Sequence, residues 1–171
     1  MALAVPARVR IRPMLPEDVP HIIQIERMSF ASSWQPEAFY RELSNPTACY
    51  LAAESPEGEV AGFVGMWVVV DESHITTLAV HPDWRHRGIG RRLLAGLLLE
   101  GVRRGARRAT LEVRTSNAEA IALYRQFGFR QVAIIARYYH DTNEDGLVMV
   151  LRGMDRLPVQ ERIRALVAGL D

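Results

Sequence analysis

The spacing of apolar positions in the first half of the chain predicts an edge strand, two helices and a three-stranded meander. Residues 9–14 alternate apolar residues with arginine and end at proline, which is typical of an edge strand with one solvated face. A first helix is predicted to begin at residues 16–18, and a second, short helix covers residues 36–43. At the helical period, one face of the first helix carries Val19, Ile22, Ile23, Glu26 and Phe30. The antiparallel meander is predicted from extended runs over residues 49–54, 60–70 and 74–80.

Strands and helices alternate in the second half of the chain, and the whole pattern therefore predicts a mixed α/β sheet. In chain order the pattern predicts a helix over residues 93–102, a strand over 110–113, a helix over 118–126 closed by Gly128, and strands over 129–137 and 146–151. The last two strands flank a polar loop at residues 140–145.

The length of the chain predicts one domain and a short tail. At about 150 residues per domain, 171 residues leave room for one, which we assign to residues 1–153. The tail, residues 154–171, contains an amphipathic helix over residues 159–170. The apolar face of this helix has two possible partners, its own domain or another protein. Docking on its own domain is favoured because an isolated helix of this length is marginal in water.

The composition excludes several classes of protein. The chain is 49% hydrophobic and 24% charged, which is typical of a globular protein, and its net charge is only +1. Every basic residue is arginine, which excludes Schiff-base chemistry at lysine and the lysine of a P-loop. A single cysteine, Cys49, and the lack of Cys/His ligand spacing argue for a reducing compartment and against a bound metal. Without a signal-peptide or membrane-spanning run, we expect a cytoplasmic protein with no membrane contact.

The strongest chemical signal is a turn rich in arginine and glycine at residues 85–91. It lies between a strand that ends at Val80 and a helix that begins near Gly90. Free backbone N–H groups and the positive end of the helix dipole meet at a helix N-terminus, and glycine permits close approach, so the site suits a pyrophosphate. A plain glycine cap is the simpler alternative, but the density of arginine favours anion binding. A dinucleotide-binding fold is not indicated, because position 93 is leucine rather than glycine.

The motif R-x-x-G-x-G, formed by Arg85, Gly88 and Gly90, resembles the acetyl-CoA motif of the GNAT acetyltransferase superfamily. Residues 111–129 resemble the second signature of that superfamily. Three more segments fit the ribosomal-protein-alanine N-acetyltransferase (RimI) family within it, namely residues 30–34, 74–80 and 137–139. The resemblance covers residues 9–152. It implies the GNAT fold, a mixed and mostly antiparallel sheet of roughly six to seven strands, flanked by helices and splayed at the acetyl-CoA site.

Acetyl transfer to an amine needs a base for the ammonium proton and an acid for the departing thiolate. The resemblance implies Glu112 as the base and Tyr124 as the acid, and it implies that Asn117 contacts the pantetheine arm. Each residue also has a purely structural interpretation. Glu112 would be a solvated strand carboxylate, Tyr124 a packing residue and Asn117 a helix cap.

The resemblance also assigns residues that bind the two substrates. The pyrophosphate turn consists of Arg85, His86, Arg87, Gly88, Ile89, Gly90 and Arg91. Main-chain groups of Leu78, Ala79 and Val80 are expected to pair with the pantetheine amides and to polarise the thioester carbonyl. The acceptor groove is expected to be lined by Trp34, Tyr138 and Tyr139. Acidic residues of the neighbouring loops suit a basic peptide, but they equally suit solvated loops; they are Asp71, Glu72, Asp141, Glu144 and Asp145.

The sequence therefore predicts direct acetyl transfer from acetyl-CoA, without a metal, to the α-amine of a protein N-terminus. The alanine terminus of a small-subunit ribosomal protein is the favoured acceptor. One alternative is the same chemistry on a small amine or a lysine side chain. The other is a CoA-binding module without activity, whose C-terminal helix binds a partner. A specific nucleic-acid partner is not expected, because the remaining local arginines flank a helix C-terminus, where cations are favoured; they are Arg103, Arg104, Arg107 and Arg108.

Overall fold

The computed structural model describes residues 8–170 as a seven-stranded sheet with helices on both faces. The strands are β1 (Arg10–Pro13), β2 (Ala48–Glu54), β3 (Val60–Val69), β4 (Glu72–Val80), β5 (Arg108–Arg114), β6 (Arg130–Tyr139) and β7 (Glu144–Arg152). The helices are α1 (Val19–Ser29), α2 (Pro36–Leu43), α3 (Ile89–Arg103), α4 (Ala118–Gln126) and α5 (Leu157–Ala165), with short 3₁₀ turns at Pro16–Asp18 and Pro82–Trp84. The predicted mixed α/β sheet is confirmed.

The sheet consists of two antiparallel parts, and the strand order is β1-β2-β3-β4-β5-β7-β6. Strands β1 to β4 are antiparallel, as the predicted meander requires, and β5, β7 and β6 are antiparallel as well. The two parts meet at a parallel ladder between β4 and β5. This ladder is parallel because α3 carries the chain back along the sheet before β5 begins.

The ladder between β4 and β5 is short, and this opens the sheet. Pairing runs from Glu72 opposite Arg108 to His74 opposite Thr110, and beyond that point neither strand pairs with the other. A β-bulge at Thr76 interrupts the register of β4 with β3. Bulges bend a strand and increase its twist, which helps β4 to diverge from β5. The predicted splay of the sheet is therefore confirmed.

The two faces of the sheet are covered by different helices. Helices α1 and α2 pack on one face, around Phe39 and Phe63, whereas α3, α4 and α5 pack on the other. Alternation along β5 buries Leu111 and Val113 on the α3 side, so Glu112 between them points to the α1 side. A side chain in the open part of β5 can therefore reach a cleft beneath α1.

The C-terminal helix packs against its own domain. The side chain of Ile163 is fully buried in the core on the α3 side, and Val159, Leu166 and Val167 pack beside it. The helix is shorter than the predicted range of 159–170. It ends at Ala165, and residues 166–169 continue as turns towards Gly169, whose φ is +84°. Within residues 8–170, we find no helix with the length and apolar character needed to cross a membrane.

Candidate active site

The gap between β4 and β5 opens into two connected cavities. The helix-end cavity, about 530 Å³ in volume, lies at the N-terminus of α3. The carboxylate cavity, about 450 Å³, extends along the gap and contains Glu112. Both cavities are lined by Ser29, Phe30, Leu78, Asn117 and Ala120. They are therefore two ends of one cleft.

Main-chain N–H groups at the start of α3 border the helix-end cavity. Gly88 is the N-cap of this helix, and its φ of +78° is a conformation that residues with a side chain disfavour. The N–H of Arg92 donates to the carbonyl of Gly88 at 3.0 Å, so the N–H groups of Ile89, Gly90 and Arg91 precede the helical ladder. These donors and the positive end of the helix dipole form a cradle that fits a pyrophosphate.

The side chains of the turn lie at different places around this cradle. Arg85, His86 and Arg91 line the helix-end cavity. The guanidinium of Arg87 instead stacks on the ring of Trp84, 5.0 Å from the ring centroid, and it is not part of the cavity lining. The structure thus brings three of the predicted cationic or polar side chains to the cradle and leaves Arg87 on its outer side.

The open edge of β4 forms one wall of the cleft. Leu78, Ala79 and Val80 line the helix-end cavity along a stretch where β4 has no β5 partner. Alternate residues of such a strand direct their N–H and C=O groups to the open side. The Nε–H of Arg85 donates to the carbonyl of Val80 at 3.1 Å. The remaining open main-chain groups suit an extended ligand with amide bonds.

Helix α4 contributes Asn117 and Tyr124 to the cleft. Oδ1 of Asn117 accepts the N–H of Ala120 at 3.1 Å, so this residue caps the helix and also lines both cavities. Tyr124 lines the carboxylate cavity, and its ring packs against Phe129 with the ring centroids 5.7 Å apart. Burial, and to a smaller extent the nearby Tyr139, raises the pKa of the Tyr124 hydroxyl. This hydroxyl therefore holds its proton at neutral pH.

A charged contact joins the two strands where they diverge. Nε2 of His74 on β4 lies 2.7 Å from Oε2 of Glu112 on β5. Because an ionised carboxylate only accepts hydrogen bonds, Nε2 carries the hydrogen. The hydrogen bond with Glu112 raises the pKa of the His74 imidazole, although burial opposes this effect. The side chain of Glu112 is 22% exposed and lines the carboxylate cavity, so its carboxylate can reach a ligand there.

Aromatic side chains line the carboxylate cavity. Trp34 packs on Phe39 with a centroid distance of 5.1 Å, and the guanidinium of Arg114 lies 4.2 Å from the ring centroid of Tyr139. Tyr138 meets Tyr139 edge-on at 5.0 Å and is 41% exposed, and it is not part of the lining. Of the three aromatic residues assigned to the acceptor groove, Trp34 and Tyr139 thus reach the cavity.

A polar bridge joins Ser32 and Arg114, which both line the carboxylate cavity, through Asp141. Asp141, in the loop between β6 and β7, accepts two hydrogen bonds from Arg114, at 2.7 and 3.0 Å, and one from the hydroxyl of Ser32 at 3.0 Å. The guanidinium of Arg114 is the main reason that the pKa of Asp141 falls to about 2. Ser32 lies in the connection between α1 and α2, so the bridge ties this connection to the β6–β7 loop. Glu144 is engaged as well, because it accepts the hydroxyl of Ser116.

Two residues of the cleft were missed by the reasoning from sequence, His74 and Glu26. The contact of His74 depends on the register between β4 and β5, which no local pattern encodes. The helical pattern predicts only that Glu26 lies on the buried face of the first helix, yet Glu26 also lines the carboxylate cavity while being only 3% exposed. Burial raises the pKa of its carboxyl to about 7, although the hydrogen bond from the N–H of Trp34 opposes this effect. In the described part of the chain, no cluster of three or more His, Cys, Asp or Glu residues is placed to bind a metal ion.

A sheet opened between parallel strands, with a helix N-terminus and a half-buried carboxylate in the gap, defines an acetyltransferase of the GNAT fold. The family model described as "Acetyltransferase (GNAT) family" matches residues 19–129. The chain belongs to the GNAT acetyltransferase family and is an acetyl-CoA-dependent N-acetyltransferase.

Named relatives cover most of the chain, and they confirm the predicted resemblance. The putative ribosomal protein bS18-alanine N-acetyltransferase of Bacillus subtilis is 40% identical over 143 residues, which are 83% of this chain and 94% of that protein. The ribosomal protein bS18-alanine N-acetyltransferase of Escherichia coli is 39% identical over 137 residues, 78% of this chain and 90% of that protein. The crystal structure of the Escherichia coli ribosomal-protein-S18-alanine N-acetyltransferase matches with a TM-score of 0.77 at 34% identity and covers 84% of this chain and 93% of that one.

Proposed function

We propose that the protein acetylates the α-amine of a protein N-terminus and that its natural acceptor is the N-terminal alanine of ribosomal protein bS18. The relatives named for this activity, which the chain matches over most of its length, support the choice of acceptor. The observation that carries the proposal is the contact between His74 and Glu112 in the open gap of the sheet, because it provides a proton acceptor in the same cleft as an anion cradle.

Acetyl-CoA supplies the acetyl group as an activated thioester. We assign its pyrophosphate to the turn formed by Arg85, His86, Arg87, Gly88, Ile89, Gly90 and Arg91, with Arg87 adding charge from the outer side. The pantetheine arm is assigned to the open edge of β4 at Leu78, Ala79 and Val80, beside Asn117. The fit rests on the N–H groups that precede the helical ladder of α3, the positive φ of Gly88 and the volume of the helix-end cavity, about 530 Å³.

We assign the role of general base to Glu112. The α-ammonium group of a peptide has an ordinary pKa of about 7.7–8.0, so a base needs only modest strength to remove its proton near neutral pH. The hydrogen bond from His74 fixes the orientation of the carboxylate. Attack by the amine is direct. Cys49 is buried on β2 and lines neither cavity, so it offers no acyl carrier.

We assign the role of general acid to Tyr124. Burial raises the pKa of the Tyr124 hydroxyl, so the hydroxyl carries its proton near neutral pH and can donate it to the sulfur as the carbon–sulfur bond breaks. Packing against Phe129 fixes the ring, so the hydroxyl has a defined position in the carboxylate cavity.

The acceptor peptide is assigned to the aromatic side of the cleft, at Trp34 and Tyr139, with Tyr138 beside Tyr139 as a contact outside the cavity lining. Ser32, which also lines this cavity, donates a hydrogen bond to Asp141 and so ties the connection between α1 and α2 to the β6–β7 loop. Because a ribosomal protein is the proposed acceptor, we place the enzyme in the cytoplasm. Residues 1–153 are proposed to form the catalytic domain, and residues 154–171 a tail that supports α3.

The proposal is tested by the choice of acceptor. Thiol release from acetyl-CoA is measured with a peptide that begins with the alanine terminus of bS18, with the same peptide blocked at its α-amine but carrying a free lysine, and with a polyamine. We expect kcat/KM to be at least about 100-fold higher for the free α-amine, since the cleft would position only that nitrogen. Preference for lysine or the polyamine would favour the alternative acceptors. CoA binding without turnover of any amine would indicate a binding module.

A further inference from the structure

The carboxyl group of Glu26 is buried in a place where packing does not require it. It belongs to the face of α1 that packs on the sheet, beside Val19, Ile22, Ile23 and Ile25. Only 3% of Glu26 is exposed. A carboxyl in such a position loses its hydration, and the loss is tolerated where polar or charged groups compensate for it.

The compensation within the protein is incomplete. One carboxylate oxygen, Oε1, accepts the N–H of Trp34 at 3.3 Å. Among residues 8–170, Oε2 has no hydrogen-bond partner. The only hydrogen bond that Glu26 accepts within this range thus comes from a neutral main-chain group, and the other oxygen is buried without a donor.

The free oxygen belongs to a residue that lines the carboxylate cavity, where a second free acceptor is found. The hydroxyl of Thr77 is buried and lacks a partner among the described residues, and Thr77 lines the same cavity. The bulge in β4 places Thr76 and Thr77 together opposite Gly65. Two unsatisfied polar atoms around one cavity indicate a polar ligand rather than an apolar one.

The charges that surround Glu26 favour a cation as that ligand. Glu112 contributes a second carboxylate to the cavity, and the two basic groups beside it are already bonded to carboxylates, His74 to Glu112 and Arg114 to Asp141. On the other side, the hydroxyl of Tyr50 donates to Glu42 of α2 and contacts Thr76, so these groups add no positive charge. A ligand that brings its own N–H donors and positive charge would satisfy Oε2 of Glu26.

We propose that Glu26 determines specificity in the acceptor site by accepting a hydrogen bond from the α-ammonium group of the incoming N-terminus through its Oε2. The inference rests on the proposed function, since it assigns a binding role within the same cleft. Glu26 would hold the nitrogen in the carboxylate cavity, and Glu112 would remove its proton. A blocked or missing α-amine would leave Oε2 unsatisfied, which provides discrimination against such termini.

The substitution Glu26→Gln tests this role with little change in shape. The amide keeps an oxygen for the N–H of Trp34 but replaces Oε2 by an NH₂ group, which donates and cannot accept from an ammonium. We expect the KM for an alanine-terminal peptide to rise at least about tenfold, while the KM for acetyl-CoA stays within about twofold of wild type. Glu37→Gln, which removes an exposed carboxylate from α2, is the matched control and should leave both constants unchanged.

Inhibition by a peptide and by its analogue without the α-amine provides a second readout that does not depend on turnover. Wild type should bind the amine-bearing peptide more tightly than the analogue, and in Glu26→Gln this ratio should shrink at least about tenfold. The comparison with Glu26→Ala separates recognition from support of the Trp34 loop. If Glu26→Gln behaves as wild type and only Glu26→Ala is impaired, Glu26 merely positions the loop and the inference is overturned. If the wild-type protein is active but its preference for the amine-bearing peptide over the analogue is unchanged in Glu26→Gln, the inference is also overturned. If the wild-type protein acetylates no peptide at all, both the proposed function and the inference are overturned.

Discussion

Glu26 should make the protein less stable as the pH rises, and Glu26→Gln should remove this loss. The carboxyl has a pKa of about 7 in the folded protein, compared with 4.5 for its ordinary value. Between these two pH values the folded state binds more protons than the unfolded state, so the free energy of unfolding falls as pH rises from about 4.5 to 7 and then stays low. Integrated from pH 5 to pH 8, this difference in proton binding lowers the free energy of unfolding by about 2.5 kcal/mol.

Because the amide of the substituted side chain does not ionise, comparison with wild type isolates the contribution of Glu26 ionisation to stability. Any cost of burying an amide without full hydrogen bonding is the same at every pH. Other titrating groups, such as His74 and Asp18, are present in both proteins and cancel in the difference. The variant should therefore gain in stability relative to wild type only as the pH rises.

Urea unfolding, followed by circular dichroism at pH 5, 6, 7 and 8, measures this difference. The gap in unfolding free energy between Glu26→Gln and wild type should widen by about 2–3 kcal/mol from pH 5 to pH 8, in favour of the variant. The control Glu37→Gln should show a constant gap. If the gap for Glu26→Gln also stays constant within about 0.5 kcal/mol, the carboxyl is not destabilised by burial and the reasoning is refuted.

Three further substitutions test the assigned roles. Tyr124→Phe should lower kcat at least about 100-fold and leave the KM for acetyl-CoA nearly unchanged in a thiol-release assay; equal losses in rate and affinity would remove Tyr124 as the acid. Glu112→Gln should lower kcat and abolish the acidic limb of the pH–rate profile, and an unaltered profile would exclude Glu112 as the base. Gly88→Ala should destabilise the fold by about 1–2 kcal/mol and weaken acetyl-CoA binding about tenfold in calorimetry, because φ is positive and a Cβ would meet Leu170 at 3.1 Å. Gly105→Ala, at a positive φ with no neighbour within 4 Å, should show the destabilisation without the loss of binding.

Elements with capping residues at their ends were predictable from sequence alone. Helices α2 and α4 have the predicted limits, Pro36–Leu43 and Ala118–Gln126. Proline at the first position of α2 and Asn117 at the cap of α4 act through backbone chemistry within one turn, so a short window contains the necessary information. The C-terminal helix α5 has no capping residue before Gly169. It therefore ends at Ala165, and residues 166–169, which are predicted as helix, form turns.

The contact between His74 and Glu112 could not be predicted from such windows. The two residues are 38 positions apart and meet because α3 returns the chain in the direction that makes β4 and β5 parallel. Their contact also requires that the ladder end at His74, which the bulge at Thr76 helps to bring about through the pairing of β4 with β3. The distance between His74 and Glu112 thus depends on the pairing of β3, β4 and β5 and on the crossover helix α3.

Glu26 is the position where the apolar pattern and the chemistry of the side chain disagree. Its place in the helical stripe of α1 predicts burial, and a carboxyl is among the groups that burial disfavours most. An apolar residue would complete the stripe at lower cost, so packing alone does not account for a glutamate there. Proteins accept such local conflicts mainly at functional sites. In Glu26→Gln the stability relative to wild type should therefore rise from pH 5 to pH 8 while the binding of the acceptor weakens, and acceptor binding that is unchanged or tighter would contradict a recognition role.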